Sequence, residues 1–355
     1  MGTTDSKVDF RLAVGQLISR NQPLETRDES FWDQFWSDKI SNIQDIFTLV
    51  PATEIRALRE EYPSNLATLC NKLVDRLQLA AENSCQTQRD QIAAINCIRL
   101  LTRILPYIFE EPEWRGFFWS DIPIGQQTAS NGEYISKPPL AERLLRILAD
   151  LLFCPDFTVS SKKKKGPDNP EDINTIDSCE YIWEVGVGFS QSPVHTPSND
   201  RNRTEILKLL LTCFSETIYM NPSVELQSQP NKWLTYFTSS RNRQTLPLFT
   251  SLINIVFSYD PVGYIPYNYL LFTDTREPLV EVAAQLLCVT LDNFSASSSS
   301  SSSSISTDDQ VPSLPTSKTP IGDDCSNLFI NYLSRIHRDD SVGSNELDLL
   351  RNLEN

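Results

Sequence analysis

Residues 66–77, LATLCNKLVDRL, and residues 92–108, IAAINCIRLLTRILPYI, decide the fold class. In the first, Leu66, Leu69, Cys70, Leu73, Val74 and Leu77 recur every three or four positions; in the second, Ile92, Ile95, Ile98, Leu101, Leu105 and Ile108 do the same. An α-helix turns once in about 3.6 residues, so this spacing gathers apolar side chains onto one face that another element must cover. Ser64, directly after Pro63, is the expected N-cap of the first helix, and Asp90 that of the second.

The pattern repeats outward in both directions. Upstream, Trp32, Phe35, Trp36, Ile40, Ile43, Phe47 and Val50 predict one helix that Pro51 ends. Downstream, Leu140, Leu144, Leu145, Ile147, Leu148, Leu151 and Leu152 predict another, and Ile206, Leu207, Leu210, Leu211, Phe214 and Ile218 a further one. Helices are also expected near 246–257, near 276–291 with Pro278 in the first turn, and around Leu328, Phe329, Leu333 and Ile336. The segment from Glu110 to Lys137 carries Trp114, Phe117, Phe118 and Trp119; large aromatics are core anchors first, so it is read as packing over a helix end.

Stacked amphipathic helices without β-rich blocks imply an all-α fold, an irregular α-solenoid of the HEAT or armadillo kind with disordered loop insertions. The expected divisions are a helical array over 1–155, a mostly disordered loop over 156–200 with an ordered island near 181–189, and a continued array over 201–294. A Ser-rich disordered insert over 295–324 and a further helical segment over 325–355 complete them. Leu347, Leu349, Leu350 and Leu353 look like the opening of another helix, as in a partial chain.

Composition removes several function classes. The 355 residues hold 46 acidic and 31 basic side chains, a net charge of -15, which disfavours nucleic acid as a partner because no broad basic surface can neutralise phosphates. Only two histidines occur, His195 in a loop and His337 at the end of a short helix, too few for histidine-based metal sites or Ser-His chemistry. The eight cysteines form no C-x-x-C pair and read as free thiols, with Cys70, Cys97, Cys213 and Cys288 expected to be buried. No P-loop, dinucleotide fingerprint or nucleophile elbow occurs, so no cofactor is expected. No run of 18 apolar residues and no secretory signal is seen, so membrane attachment would be peripheral.

One local motif does carry chemistry. Met1-Gly2-Thr3-Thr4-Asp5-Ser6 fits N-myristoylation: removal of Met1 exposes Gly2, whose unhindered α-amine accepts the acyl chain, and Ser6 occupies the required position. A single myristoyl chain binds membranes with an association constant of only about 10⁴ M⁻¹, so a second contact is expected. Lys162, Lys163, Lys164 and Lys165 form a basic patch able to supply it on an anionic surface, although the same run reads more readily as a solvated loop, with a nuclear-import signal as a further alternative.

The chain also resembles the high-temperature-induced dauer-formation protein family, related more distantly to dymeclin. The resemblance rests on Met1-Gly2 through Lys7, Phe31 to Trp36, Pro63 to Cys70, Arg99 to Glu110 and Trp114 to Trp119. It continues through Cys179 to Glu184, Leu209 to Glu216, Leu246 to Leu252, Asp260 to Tyr264 and Arg276 to Glu281. The resemblance implies a non-enzymatic, myristoylated peripheral protein on the cytosolic face of the Golgi and trans-Golgi network. It further implies a role in secretory-pathway sorting and dense-core granule biogenesis, with Gly2 as the acylated residue and protein partners in the secretory pathway. Family members are usually longer, so the chain is expected to be an N-terminal portion. The alternative from charge and periodicity is a soluble α-solenoid of the transport-receptor kind without a lipid anchor.

Overall fold

The computed structural model describes residues 3–19, 27–37, 43–120, 122–128, 134–160, 182–184, 195–220, 230–260, 274–292 and 327–339. Among these residues the chain forms thirteen α-helices and one two-stranded antiparallel ribbon. The described residues are thus almost entirely α-helical, as expected; the one addition is that ribbon, Ile122–Thr128 paired with Tyr134–Lys137, whose register is irregular between Pro123 and Thr128.

The first helices are α1 (Thr3–Ser19), α2 (Glu29–Trp32), α3 (Ile43–Leu49), α4 (Ala52–Glu61), α5 (Pro63–Glu82) and α6 (Gln88–Phe109). After them come α7 (Pro112–Trp119), α8 (Leu140–Leu151), α9 (Pro197–Phe214), α10 (Lys232–Thr238), α11 (Thr245–Ser258), α12 (Glu277–Asp292) and α13 (Leu328–Asp339). Helix α5 packs on α6, α6 on α9, and α9 on α12; α11 packs on α12 and α13, and α8 lies against both α5 and α9.

Helix α6 touches α3, α4, α5, α7 and α9, and its sequence explains why. Its buried residues include Ala93, Ala94, Cys97, Ile98, Leu100, Leu101, Ile104, Leu105 and Ile108, which at one turn per 3.6 residues fill a single arc about half the circumference wide. Ile92 and Ile95 lie beyond that arc and are half-buried, and both α5 and α9 pack on α6. By length and composition α6 could cross a bilayer, yet most of it is buried among the other helices, as in the central helix of a folded core. Where α6 meets α9, Arg99 Nε lies 3.3 Å from Glu205 Oε2.

Capping differs from expectation at two helices. Pro63 is the first residue of α5, so Ser64 lies inside the helix and Tyr62 precedes it without a side-chain cap. Proline suits that place because the first turn leaves its N–H positions unpaired anyway. At α6 the cap is Thr87, whose Oγ1 accepts the Asp90 N–H at 3.1 Å and donates to Asp90 Oδ2 at 2.6 Å; Asp90 sits three residues in, as the reciprocal partner.

The single helix expected over 32–50 is also corrected. Helix α2 ends at Trp32, a 3-10 turn spans Asp33–Phe35, and α3 starts at Ile43; Ile40 lies outside the described residues. Phe31, Trp32 and Phe35 close edge-on or tilted around one another, and Phe35 meets Phe10 of α1 at 5.8 Å. Wrapping rings around α1 buries them better than stringing them along one face, and Phe47 is left 43% exposed. Likewise α9 gives way at Phe214 to a 3-10 turn over Ser215–Tyr219, which leaves Ile218 79% exposed.

The aromatic segment does pack over a helix end. Phe109 at the end of α6, with Phe118 and Trp119 of α7, surrounds Trp233 of α10 at centroid distances of 6.0, 5.7 and 5.3 Å. The Trp233 indole N–H donates to the Glu216 carboxylate, and burial pushes Glu216 above its ordinary value.

Truncating the fully buried Leu101 to Ala leaves a cavity between α5 and α9 and is expected to lower the unfolding free energy by about 2–5 kcal/mol in urea. Ile218→Ala should stay within about 0.5 kcal/mol. Thr87→Ala removes the α6 cap and should cost about 0.5–2 kcal/mol in the same measurement.

Candidate functional site

A densely connected polar site is built around three residues, Ile182–Glu184, that the sequence placed in a loop island. Trp183 is 1% exposed. Its indole N–H donates to the Leu152 carbonyl at 2.9 Å, its backbone N–H donates to Ser251 Oγ at 3.3 Å, and its ring stacks on Phe153 at 5.8 Å. The Glu184 carbonyl accepts from Asn254 Nδ2 at 2.9 Å. One tripeptide is thus fastened to the end of α8 and to α11.

Charge completes the attachment. The Glu184 carboxylate, 2% exposed, meets His195 Nε2 at 2.7 Å and Arg276 at 3.0 Å. His195 Nδ1 lies 3.6 Å from Asp200 Oδ2 just inside α9, and Asp200 Oδ1 accepts from Arg203 at 2.7 Å. The Arg203 guanidinium lies 5.2 Å from the Trp183 ring centre. Burial of an unpaired carboxylate is costly, so each of these acids is retained only because cations face it.

The mutual effects fix the protonation states. Asp200 and then Glu184 push His195 up to about 9, against the opposing effect of burial. Burial would raise Asp200, but the hydrogen bond from His195 and the charge of Arg203 outweigh it and hold the group low. Burial pulls Arg203 down to about 10, opposed by Asp200. At neutral pH, His195 is therefore an imidazolium clamped between carboxylates. An imidazolium cannot take a proton, so His195 serves here as the cation of a clamp.

The lipidation and membrane-contact residues read from the sequence are not brought to this site by the described residues. Gly2, Lys162, Lys163, Lys164 and Lys165 lie outside them, as do Cys179, Cys325, most of the 156–200 loop, the 295–324 insert and the final leucines. The described residues start at Thr3, the first of α1, and this helix is docked through Phe10, Ala13, Val14 and Leu17. Lys7 pairs with Asp45 at 2.8 Å, Arg11 pairs with Glu54, and Asn65 Nδ2 donates to the Leu17 carbonyl at 3.0 Å. Among the described cysteines, Cys70, Cys97 and Cys213 are buried as expected, whereas Cys288 is exposed because it falls on the outer face of α12.

Among the described residues no cluster of His, Cys, Asp and Glu is suited to a metal ion. An open cleft of about 700 Å³ lies between α1, the 33–37 turn and the start of α6. Its walls mix Phe10 and Trp36 with Asp9, Asp33 and Arg89, and Arg89 approaches Asp33 to 3.8 Å. Such polar, open walls differ from the enclosed apolar pocket that lipid carriage requires.

Comparison with known proteins adds breadth. The family model described as high-temperature-induced dauer-formation protein matches residues 1–343. The chain is 55% identical to human protein HID1 over 348 residues, covering 96% of this chain and 43% of the human one. The mouse protein HID1 gives 54% identity with the same coverages. A fission yeast protein, the Ubp5-interacting protein ftp105, is 25% identical over 82% of this chain and 39% of its own length. The chain thus spans less than half the length of these relatives. No solved structure matches it.

The clamp has a pH signature. His195 ordinarily titrates at 6.5 and in the folded chain at about 9, so its contribution to stability is complete below pH 6.5 and is lost as pH rises through 9. Thermal unfolding between those limits should show a steeper fall for wild type than for His195→Gln; equal slopes would remove His195 from the clamp. Trp183→Phe, which strips the donor from the buried Leu152 carbonyl, should cost about 1–3 kcal/mol.

Proposed function

The chain belongs to the high-temperature-induced dauer-formation protein family, and from that premise we propose that it is a non-enzymatic, peripheral membrane scaffold or adaptor. Its place of action is the cytosolic face of the Golgi and trans-Golgi network, in secretory-pathway sorting and dense-core granule biogenesis. The observation that carries this reading is the extent of the family match, which begins at residue 1 and takes in the acylation motif Met1-Gly2 through Ser6.

Gly2 is the proposed N-myristoyl site. Because α1 is docked from Phe10 to Leu17, an acyl chain at its head would hold the helical core close to the bilayer. Val8 and Leu12 are exposed on the same helix, where a lipid surface would meet them. One myristoyl chain contributes roughly 5.5 kcal/mol, which is marginal for stable attachment. The Lys162 to Lys165 run adds about 1 kcal/mol per residue at an anionic surface, and the net charge of -15 opposes close approach elsewhere.

The helical segments over 1–155, 201–294 and 325–355 are taken as one irregular α-solenoid of the HEAT or armadillo kind, with insertions at 156–200 and 295–324. Such a solenoid offers long surfaces for proteins of the secretory pathway, and the acidic balance disfavours nucleic acid. The yeast relative named for interacting with Ubp5 is in keeping with an adaptor that works through protein contacts.

Intact mass and membrane fractionation of wild type beside Gly2→Ala test the reading. Wild type is expected to carry a myristoyl group and sediment with Golgi membranes, and Gly2→Ala to remain soluble. Two unmodified chains with the same diffuse distribution would replace it with a soluble solenoid of the transport-receptor kind.

A further inference from the structure

The turn between α5 and α6 and the loop that leaves α8 meet at a pair of cysteines far apart in sequence. Cys85 closes the first turn in a left-handed conformation, φ 46°, and its N–H donates to the Ala80 carbonyl at 2.8 Å. Cys154 begins the second loop, in which its N–H donates to Thr158 Oγ1 at 2.9 Å and Asp156 is also left-handed, at φ 57°. The Gln91 side-chain amide ties the loops together, reaching the Cys85 carbonyl at 3.1 Å and the Asp156 carbonyl at 3.4 Å. That tie sets Cys85 beside the loop that Cys154 opens, and both cysteines are buried at the junction. Left-handed backbone is costly for residues other than glycine, so both loops are held in shape by this junction.

The pair is buried but shallow. Cys85 is 1% exposed, yet Asn83, Ser84, Gln86 and Thr87 around it are exposed, and Asp156 is exposed on the opposite side. This differs from Cys70, Cys97 and Cys213, which sit along helices in the core.

We propose that Cys85 and Cys154 form a reversible dithiol–disulfide modification site, which responds to hydroperoxide and fastens the α5–α6 turn to the loop leaving α8.

The two sulfurs are unequal. The hydrogen bond from Cys85 holds the Cys154 thiol below its ordinary value despite burial, while the same contact and burial push Cys85 up. Cys154 is therefore the nucleophile and Cys85 the resolving thiol. The Cys154 sulfur attacks one peroxide oxygen; an S–O bond forms, the O–O bond breaks, and the departing oxygen leaves as water with the thiol proton. The Cys85 sulfur then attacks the sulfenic sulfur; an S–S bond forms, the S–O bond breaks, and a second water carries off the hydroxyl and the Cys85 proton. Two electrons pass from the thiol pair to the peroxide, and thiol–disulfide exchange with a reduced dithiol returns them. The surrounding charges are Arg76, paired with Asp90 at 2.8 Å, and Asp156. The bond would fix the stem from which residues 161–181, with the lysine run, depart.

The test treats the purified full chain with hydrogen peroxide, blocks remaining thiols with N-ethylmaleimide and maps non-reduced peptides by mass spectrometry. The expected product is a peptide pair joined through Cys85 and Cys154, lost on adding dithiothreitol. Cys85→Ser should instead leave Cys154 as a sulfenic acid that dimedone traps, and Cys154→Ser should leave Cys85 alkylated. Wild-type mapping stands even if a variant misfolds. Alkylation of both cysteines at a peroxide dose that oxidises the exposed Cys288, or a disulfide to any other cysteine, overturns the proposal.

Discussion

Helix α6 buries an apolar face about half its circumference wide, and the need to enclose it organises the rest of the chain. A helix with a narrow apolar stripe is satisfied by one neighbour. A face this wide takes more than one, and here α5 and α9 both pack on it. Helices α5 and α9 then have outer residues of their own to cover. Helix α8 spans both, α12 covers the far side of α9, and α11 and α13 follow. Polar contacts enter where they position what packing has assembled: Arg143 of α8 reaches Asp75 and Gln78 of α5, and Arg99 of α6 reaches Glu205 of α9. The packing is thus driven by apolar area and registered by a few buried charges.

The charge cluster around Trp183 solves a different problem. A tripeptide has too little surface to dock by hydrophobic contact alone, and fixing each residue costs about 1–2 kcal/mol of backbone entropy. Trp183 supplies the apolar area, and Glu184 draws in His195 from the approach to α9 and Arg276 from the approach to α12. Three stretches distant in sequence are held at one point, so the clamp sets where the chain leaves and re-enters the helical core.

How much of this the sequence disclosed depends on the range of the interaction concerned. Helices α5 and α8 were legible because each shows one apolar face, and periodicity reports one face well. Helices α2 and α3 read as one because Trp32, Phe35 and Phe47 keep helical spacing, whereas Phe35 turns to meet Phe10 of α1, a contact with no local signal. The Thr87 cap was displaced by three residues because Asp90 takes part in the same reciprocal motif. The acylation motif was legible as chemistry, since it needs only neighbouring residues. The clamp and the thiol pair were not: Glu184 with Arg276, or Cys85 with Cys154, are joined by the fold and leave no spacing to read. His195 registered only as a scarce residue in a loop, and its protonation follows from two carboxylates that folding brings to it.

The enclosure of α6 also has a cost in time. Helix α5 precedes it and can cover part of its apolar face as soon as both have left the ribosome, but α9 begins only at Pro197. Residues 110–196 must be made first, and at about 5–20 residues per second this takes on the order of ten seconds. During that interval a stretch with the length and composition of a bilayer span stands partly uncovered in the nascent chain. Early pairing of α5 with α6 is then what competes with the machinery that inserts such stretches into membranes. The order of helices along the chain accordingly matters to the fate of the protein before the fold is complete.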